Sequence, residues 1–218
     1  GFKNLIRPSL SIDARANHVK KISEIGFSKK VLNFKLENLH LKKISSNFIF
    51  FYTAHGINNL EKCIKSSAKI LKKNGKMVIL VYDKHVEKHF VCYNIGKKKF
   101  FISNFFKKLD NGRYKEISKY SRSLSDWEKL FKKYNLKVEK RISGLSGLAW
   151  KFYDIQSRPI LKILIIFFNF FPKPLRTILK FFWMVSIFPF LLIFFALFSN
   201  LIINNKHNCY HVFQLQKK

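Results

Sequence analysis

Four side chains able to do hydrogen-bonding or proton-transfer chemistry fall at equivalent places in the sequence. Asp13, Glu37, His55 and Asp83 each follow a short apolar run. A carboxylate fixed there can accept short, strong hydrogen bonds from a ligand's hydroxyl or amino groups, and a histidine can move a proton near neutral pH. Plainer readings stand beside these: Asp13 suits the N-cap of the helix that follows it, and Glu37 with Asn38 suits a solvated turn. His85 and His89, in His85-Val86-Glu87-Lys88-His89, have the spacing that sets two imidazoles on one helix face, as zinc ligands need. No third ligand is apparent and the order is not that of a metalloprotease, so this segment reads as a solvent-facing or substrate-side loop and no metal is expected.

These residues need a scaffold, and the stretch from Asn47 to Asp83 supplies its pattern. Phe48-Ile49-Phe50-Phe51-Tyr52 is continuously apolar; Leu60, Ile64, Ala68 and Leu71 recur at helical spacing; Asn74-Gly75 breaks the helix; Met77-Val78-Ile79-Leu80-Val81-Tyr82 is apolar again. Such runs suit strands covered on both faces, and strand, helix, strand at this spacing predicts a parallel βαβ unit with a right-handed crossover. Ligands of such sheets bind beyond the carboxyl ends of the strands. The turn with Thr53 and His55 and the exit at Tyr82-Asp83 therefore form the functional edge. Asp13, after a strand ending at Ile12, and Glu37, after Val31–Leu36, join the same edge. From Lys84 to Tyr120 the pattern is irregular, with Gly96 and Asp110-Asn111-Gly112 as turn signals. Ser125 and Glu128 then form a capping box for a helix carrying Trp127, Leu130, Phe131 and Tyr134, and Leu136–Ile142 alternates as a strand.

The composition divides the chain in two. A formal charge of +30 over 218 residues fits either a basic surface or the Lys, Asn, Ile and Phe bias of an AT-rich coding sequence. Cys63, Cys92 and Cys209 are scattered singly, which suits a reducing, cytoplasmic setting, and the first residues carry no secretory signal. Beyond Asp154 there are no acids. Ile160–Phe171 and Leu175–Phe188 are mostly apolar, Pro172-Lys173-Pro174 separates them, and Pro189 opens a third apolar run to Ile203. Phe181–Ile203 is uncharged and long enough for a hydrocarbon layer of about 30 Å. A strand at Cys209–Leu215 must return to the sheet, however, and the prolines favour short helices lying in the membrane interface, with basic residues toward anionic head groups. Lys97–Lys99 and Lys107-Lys108 interleave with Phe100, Phe101, Phe105 and Phe106 in a pattern fit for RNA or for a membrane surface; the apolar block favours the membrane.

Taken in order, Ser11-Ile12-Asp13, Glu37-Asn38-Leu39, Ser45-Ser46-Asn47-Phe48-Ile49, His55 and Ile70-Leu71-Lys72-Lys73-Asn74-Gly75-Lys76-Met77 resemble class I S-adenosylmethionine-dependent methyltransferases of the type 11 kind. Ser125-Asp126-Trp127-Glu128 and the strand after it look like that family's penultimate helix and strand. The resemblance covers Gly1 to Ser143 and Cys209 to Leu215. It implies an α/β fold, a Rossmann-like sheet with helices on both faces, with a hydrophobic helical insertion before the last strand: residues 1–150 and 206–218 as the methyltransferase-like domain, truncated at its N-terminus, and 151–205 as the membrane-associating insertion. It also implies S-adenosylmethionine as cofactor, Asp13 on the ribose hydroxyls, Glu37 and Asn38 at the adenine, and Tyr52 and Thr53 beside the sulfonium. His55 becomes the catalytic base or a residue that only stabilises its turn. The family's first strand and glycine-rich loop would precede Gly1; Asn47 stands where an Asp is usual, and Asn74-Gly75 where paired glycines are frequent. The expected function is methyl transfer to an amphiphilic or lipid-linked small molecule by a cytoplasmic protein, peripheral or monotopic on the membrane. The alternatives are an RNA methyltransferase and a catalytically degenerate membrane-bound module.

Overall fold

The computed structural model describes residues 9–13, 15–33, 45–51, 57, 59–99, 101–190, 193, 197 and 208–218. Near the N-terminus β1 (Ser11–Asp13), α1 (Ala16–Glu24) and β2 (Val31–Asn33) form a βαβ unit with parallel strands, Ile12 opposite Leu32. Gly26, at φ 62°, turns the chain after α1, a conformation glycine adopts without strain. β1 and β2 pair with one another in a sheet of their own. One continuous sheet was expected, but among the described residues no strand lies between them and the larger sheet to bridge the two by hydrogen bonds.

The larger sheet has the order β3-β4-β6-β5. β3 (Ser46–Phe51) runs parallel to β4 (Leu71–Tyr82), with α2 (Leu60–Ile70) as the crossover. β6 (Asn208–Lys217) lies antiparallel between β4 and β5 (Leu136–Ser146). The last strand thus inserts between two partners, and its inward-facing residues Cys209, His211, Phe213 and Leu215 are all buried. Phe213 and Leu215 join Met77, Ile79 and Val81 of β4 beneath Ile64 of α2 and Trp127 and Phe131 of α5 (Leu124–Lys133). β3 departs from expectation. Ile49 and Phe51 pack toward this core, but Phe48 and Phe50 are more than half exposed, so the strand is not buried on both sides.

Three local boundaries also differ. α2 stops at Ile70 instead of running to Lys73, since Leu71 is already extended and pairs with Ser46; the turn at Asn74-Gly75 lies inside the strand, with Asn74 at φ 63°. The cap of α5 is Ser123, whose hydroxyl oxygen accepts the Asp126 N–H, two residues before the Ser125 capping box, and whose hydroxyl donates to the Asp126 carboxylate. Lys84–Tyr120 is helical instead of irregular: a 3₁₀ helix at Lys84–His89, α3 (Val91–Gly96) and α4 (Ser103–Tyr120). Asp110-Asn111-Gly112 reads as a turn in isolation, yet it lies within α4, where Asp110 is fully buried against Arg113.

After β5 come α6 (Gly147–Ile155), a wide π turn at Gln156–Ile160, α7 (Leu161–Asn169) and α8 (Lys173–Phe182). Pro159 lies in the wide turn, where its ring and missing N–H displace the normal helical bond. α6 packs Trp150 into a second core with Val86, Phe90, Ile117 and Cys209. Among the described residues no helix is long and apolar enough to cross a membrane.

Candidate functional site

Asp83 follows the last residue of β4 and is almost wholly buried. Its Oδ1 accepts the backbone N–H of His85 at 2.8 Å and faces His85 Nδ1 at 2.6 Å, while Oδ2 lies 3.1 Å from His211 Nε2. Tyr210 and His211 pair with Tyr82 and Val81, so the antiparallel strand delivers His211 to the carboxyl end of β4. On the other side of that imidazole, Ser143 Oγ of β5 lies 2.8 Å from Nδ1. An ionised carboxylate only accepts; His85 therefore donates through Nδ1 and His211 through Nε2, and with a neutral His211 imidazole the Ser143 hydroxyl donates to Nδ1. Burial alone pushes the Asp83 pKa up, but the hydrogen bonds from His211 and His85 outweigh it and hold the carboxyl below its usual range. The side chains of Asp83 and His211 are each 7% exposed and that of His85 is 45% exposed.

The strand exit is braced from its flank. Arg122 N–H bonds Tyr82 O, Lys84 N–H bonds Arg122 O, and the Trp127 indole N–H donates to Tyr82 O at 3.1 Å. Beside it a cavity of about 300 Å³ opens between α2 and α5, lined by Asn59, Glu61, Lys119, Arg122 and Trp127. Glu61 accepts from Lys133 and from the Tyr134 hydroxyl, each at 2.8 Å. These hydrogen bonds lower its pKa, with a further contribution from Arg122. Glu61 is thereby kept ionised at the mouth of a mostly basic opening.

Asp13 ends β1, as expected, with its side chain 31% exposed. Its Oδ1 accepts the Arg15 N–H at 2.8 Å and its Oδ2 lies 3.2 Å from His18 Nδ1; the N-cap of α1 is Arg15, with no side-chain cap bond, so Asp13 stands ahead of the cap position expected of it. Glu37, Asn38, Tyr52, Thr53 and His55 lie outside the described residues. Among the described residues no group of three or more His, Cys, Asp or Glu is placed to hold a metal ion.

No family model and no curated protein matches the sequence. Solved structures do match. A putative methyltransferase from Bacillus halodurans aligns over 99% of this chain and 85% of its own at a TM-score of 0.50 and 12% identity. A putative sarcosine dimethylglycine methyltransferase from Galdieria sulphuraria aligns over 96% of this chain and 69% of its own, also at 0.50 and 12%. The fold is that of the class I methyltransferases.

Within this methyltransferase fold the structure joins Asp83 to His85 and His211, while Asp13 stands in the smaller sheet with His18. The sequence marks Asp83 as an edge residue and His85 as a loop histidine but does not pair them, and it passes over His211 and Ser143. One signal points to His211: it is the one strongly polar side chain in the inward-facing series Cys209, His211, Phe213, Leu215, and a buried polar group requires partners.

Proposed function

We propose that the chain is an S-adenosylmethionine-dependent methyltransferase acting on an amphiphilic or lipid-linked small molecule at a membrane surface. The observation that carries the cofactor assignment is the Asp13 carboxylate, fixed and accessible at the carboxyl end of a parallel strand. An ionised carboxylate has about four lone-pair sites, and Arg15 and His18 engage one on each oxygen. The capacity left over matches the two adjacent hydroxyls of a ribose. When bound, S-adenosylmethionine supplies a methyl group already activated by its sulfonium charge. The chain's part is then to hold the acceptor in line and exclude water. Glu37 and Asn38 border the adenine in this reading, Tyr52 and Thr53 line the pocket at the sulfonium, and His55 lies at the acceptor.

The membrane part of the proposal concerns residues 151–205 as an insertion before the final strand. Leu175, Ile178, Phe181 and Phe182 follow helical spacing on one side of α8 and are all exposed, with Lys173, Thr177 and Lys180 on the other. On α7, Ile163, Phe167 and the following Phe170 are at least half exposed. So large an apolar surface, rimmed by cations, suits insertion among anionic head groups more than contact with water. An RNA acceptor is the second reading, favoured by Phe101, 90% exposed beside Lys97–Lys99; salt-sensitive RNA binding lost on replacing those lysines would favour it.

Ultraviolet crosslinking of the full chain with methyl-tritiated S-adenosylmethionine tests the cofactor assignment. The expected result is a labelled chain whose label is abolished by excess S-adenosylhomocysteine and untouched by ATP. Label insensitive to S-adenosylhomocysteine would count against it.

A further inference from the structure

We infer that His85 is the proton acceptor for the methyl-accepting group, oriented by Asp83 and, through Asp83, by His211, and that the acceptor is a phenol- or enol-type hydroxyl carried on an apolar molecule. The inference rests on the methyltransferase reading and names the chemistry of its acceptor. Three features of the Asp83 cluster carry it. First, it is more than a helix cap: Ser123 caps α5 with a single hydroxyl, whereas Asp83, beyond accepting the His85 N–H, buries a carboxylate between imidazoles from two elements. A buried charge is unfavourable until it is paired, and capping alone does not require one. Second, the donors run in one direction, Ser143 to His211 to Asp83, with His85 donating to the other oxygen. With its Nδ1–H held by the carboxylate, His85 keeps Nε2 as its basic nitrogen, and the negative charge stabilises the imidazolium formed on protonation. Third, the cluster sits at the carboxyl end of β4, where this topology places ligands, and His85 is its half-exposed member.

The acceptor class follows from proton affinities. Imidazoles titrate at about 6.5 and phenols at about 10, a gap that a positioned base bridges; alkanols lie far above it, and a neutral amine attacks without first losing a proton. In the step, the hydroxyl proton passes to His85 Nε2 as an oxygen lone pair forms the bond to the methyl carbon. The carbon–sulfur electron pair leaves with the sulfur, which becomes a neutral thioether. His85 then returns its proton to water. Lys84, Glu87 and Lys88 are the charged residues of the 3₁₀ helix itself; Ser121 donates to Glu87, and Arg122 lies beside the strand exit.

The test offers the full chain methyl-tritiated S-adenosylmethionine with para-octylphenol, para-octylaniline or octanol in phosphatidylglycerol vesicles. Calorimetry with S-adenosylhomocysteine and thermal melting are run on every variant. The expected result is transfer to the phenol alone. His85→Ala lowers kcat by about 10²-fold or more with KM held, and added imidazole restores part of the rate. Asp83→Asn and His211→Gln give smaller losses. In nitrogen-labelled, ligand-free protein, NMR should show His85 as the Nδ1-protonated tautomer and Asp83→Asn should abolish that preference. Transfer favouring the aniline or the octanol, absence of transfer despite S-adenosylhomocysteine binding, or a His85→Ala variant with undiminished kcat would each overturn the inference. Failure of the wild-type chain to bind S-adenosylhomocysteine would overturn the methyltransferase reading on which it rests.

Discussion

Two aspartates and two arginines meet beneath Trp150. The Arg113 guanidinium bonds Asp154, its Nε lies 3.2 Å from Asp110, and Arg158 Nε lies 3.6 Å from the same carboxylate. Arg113 also faces the rings of Phe90, Trp150 and Tyr153 at 5.0–5.7 Å. Asp154 is fully buried and also accepts the Cys92 N–H, so Asp154→Ala leaves a buried guanidinium short of its partner. A loss of about 3–5 kcal/mol is expected, read by urea denaturation at neutral pH. Asp110 behaves differently. Burial pushes its pKa up, Arg113 opposes this, and Asp154 adds to the rise, to about 6 from 3.8. The folded state therefore holds the Asp110 proton more tightly than the unfolded chain does. Its contribution to stability is fully present below pH 3.8 and is lost as pH rises through about 6. Asp110→Asn should flatten that part of the pH–stability curve, and an unchanged slope between those limits would contradict the assignment. Burial also drives the thiols of Cys92 and Cys209 up to about 12, so both should resist iodoacetamide at pH 8 until the protein unfolds, as mass spectrometry can show. None of this network was legible from spacing. Asp154 is visible in the sequence only as the last acid before the apolar block, and its partners Cys92 and Arg113 come from distant segments.

At the scale of elements, legibility followed periodicity. α2 and α5 announce themselves because each buries one side of a regular pattern, and β4 because Met77–Tyr82 is continuously apolar. α4 does not, since Asp110-Asn111-Gly112 carries local turn preference, which the buried ion pairs of Asp110 and the packing of Ile117 override. The approach of α3 to α4 is equally invisible in sequence: a Cβ at Gly96 would lie 2.7 Å from the Lys107 backbone nitrogen. Gly96→Ala must therefore push two helices apart, and a cost of about 1–3 kcal/mol is expected. At the surface start of α5, Ser123→Ala removes one cap bond and should cost about 1 kcal/mol. Thermal melting of the two variants checks the order: equal shifts would show that α3 and α4 are not packed as described. The candidate site divided in the same way. Its edge could be located from strand ends, but the contact between His211 and Asp83 depends on β6 entering antiparallel beside β4, which no local pattern states.

For the whole molecule, the charge of +30 and the exposed apolar sides of α7 and α8 act together. Flotation should carry the full chain up with phosphatidylglycerol vesicles but not with phosphatidylcholine vesicles, and rising salt should weaken the association as the charges are screened. Ile178→Glu with Phe181→Glu should abolish it; flotation unaffected by that pair would remove α8 from the membrane contact. Titration calorimetry of S-adenosylhomocysteine into the wild-type chain and into Asp13→Asn measures whether this carboxylate holds the cofactor. Saturable binding at one site per chain, weakened about tenfold or more in Asp13→Asn as charge-assisted hydrogen bonds are lost, is the predicted result. Absence of binding to the folded wild-type chain, or equal affinity in the two proteins, would contradict it.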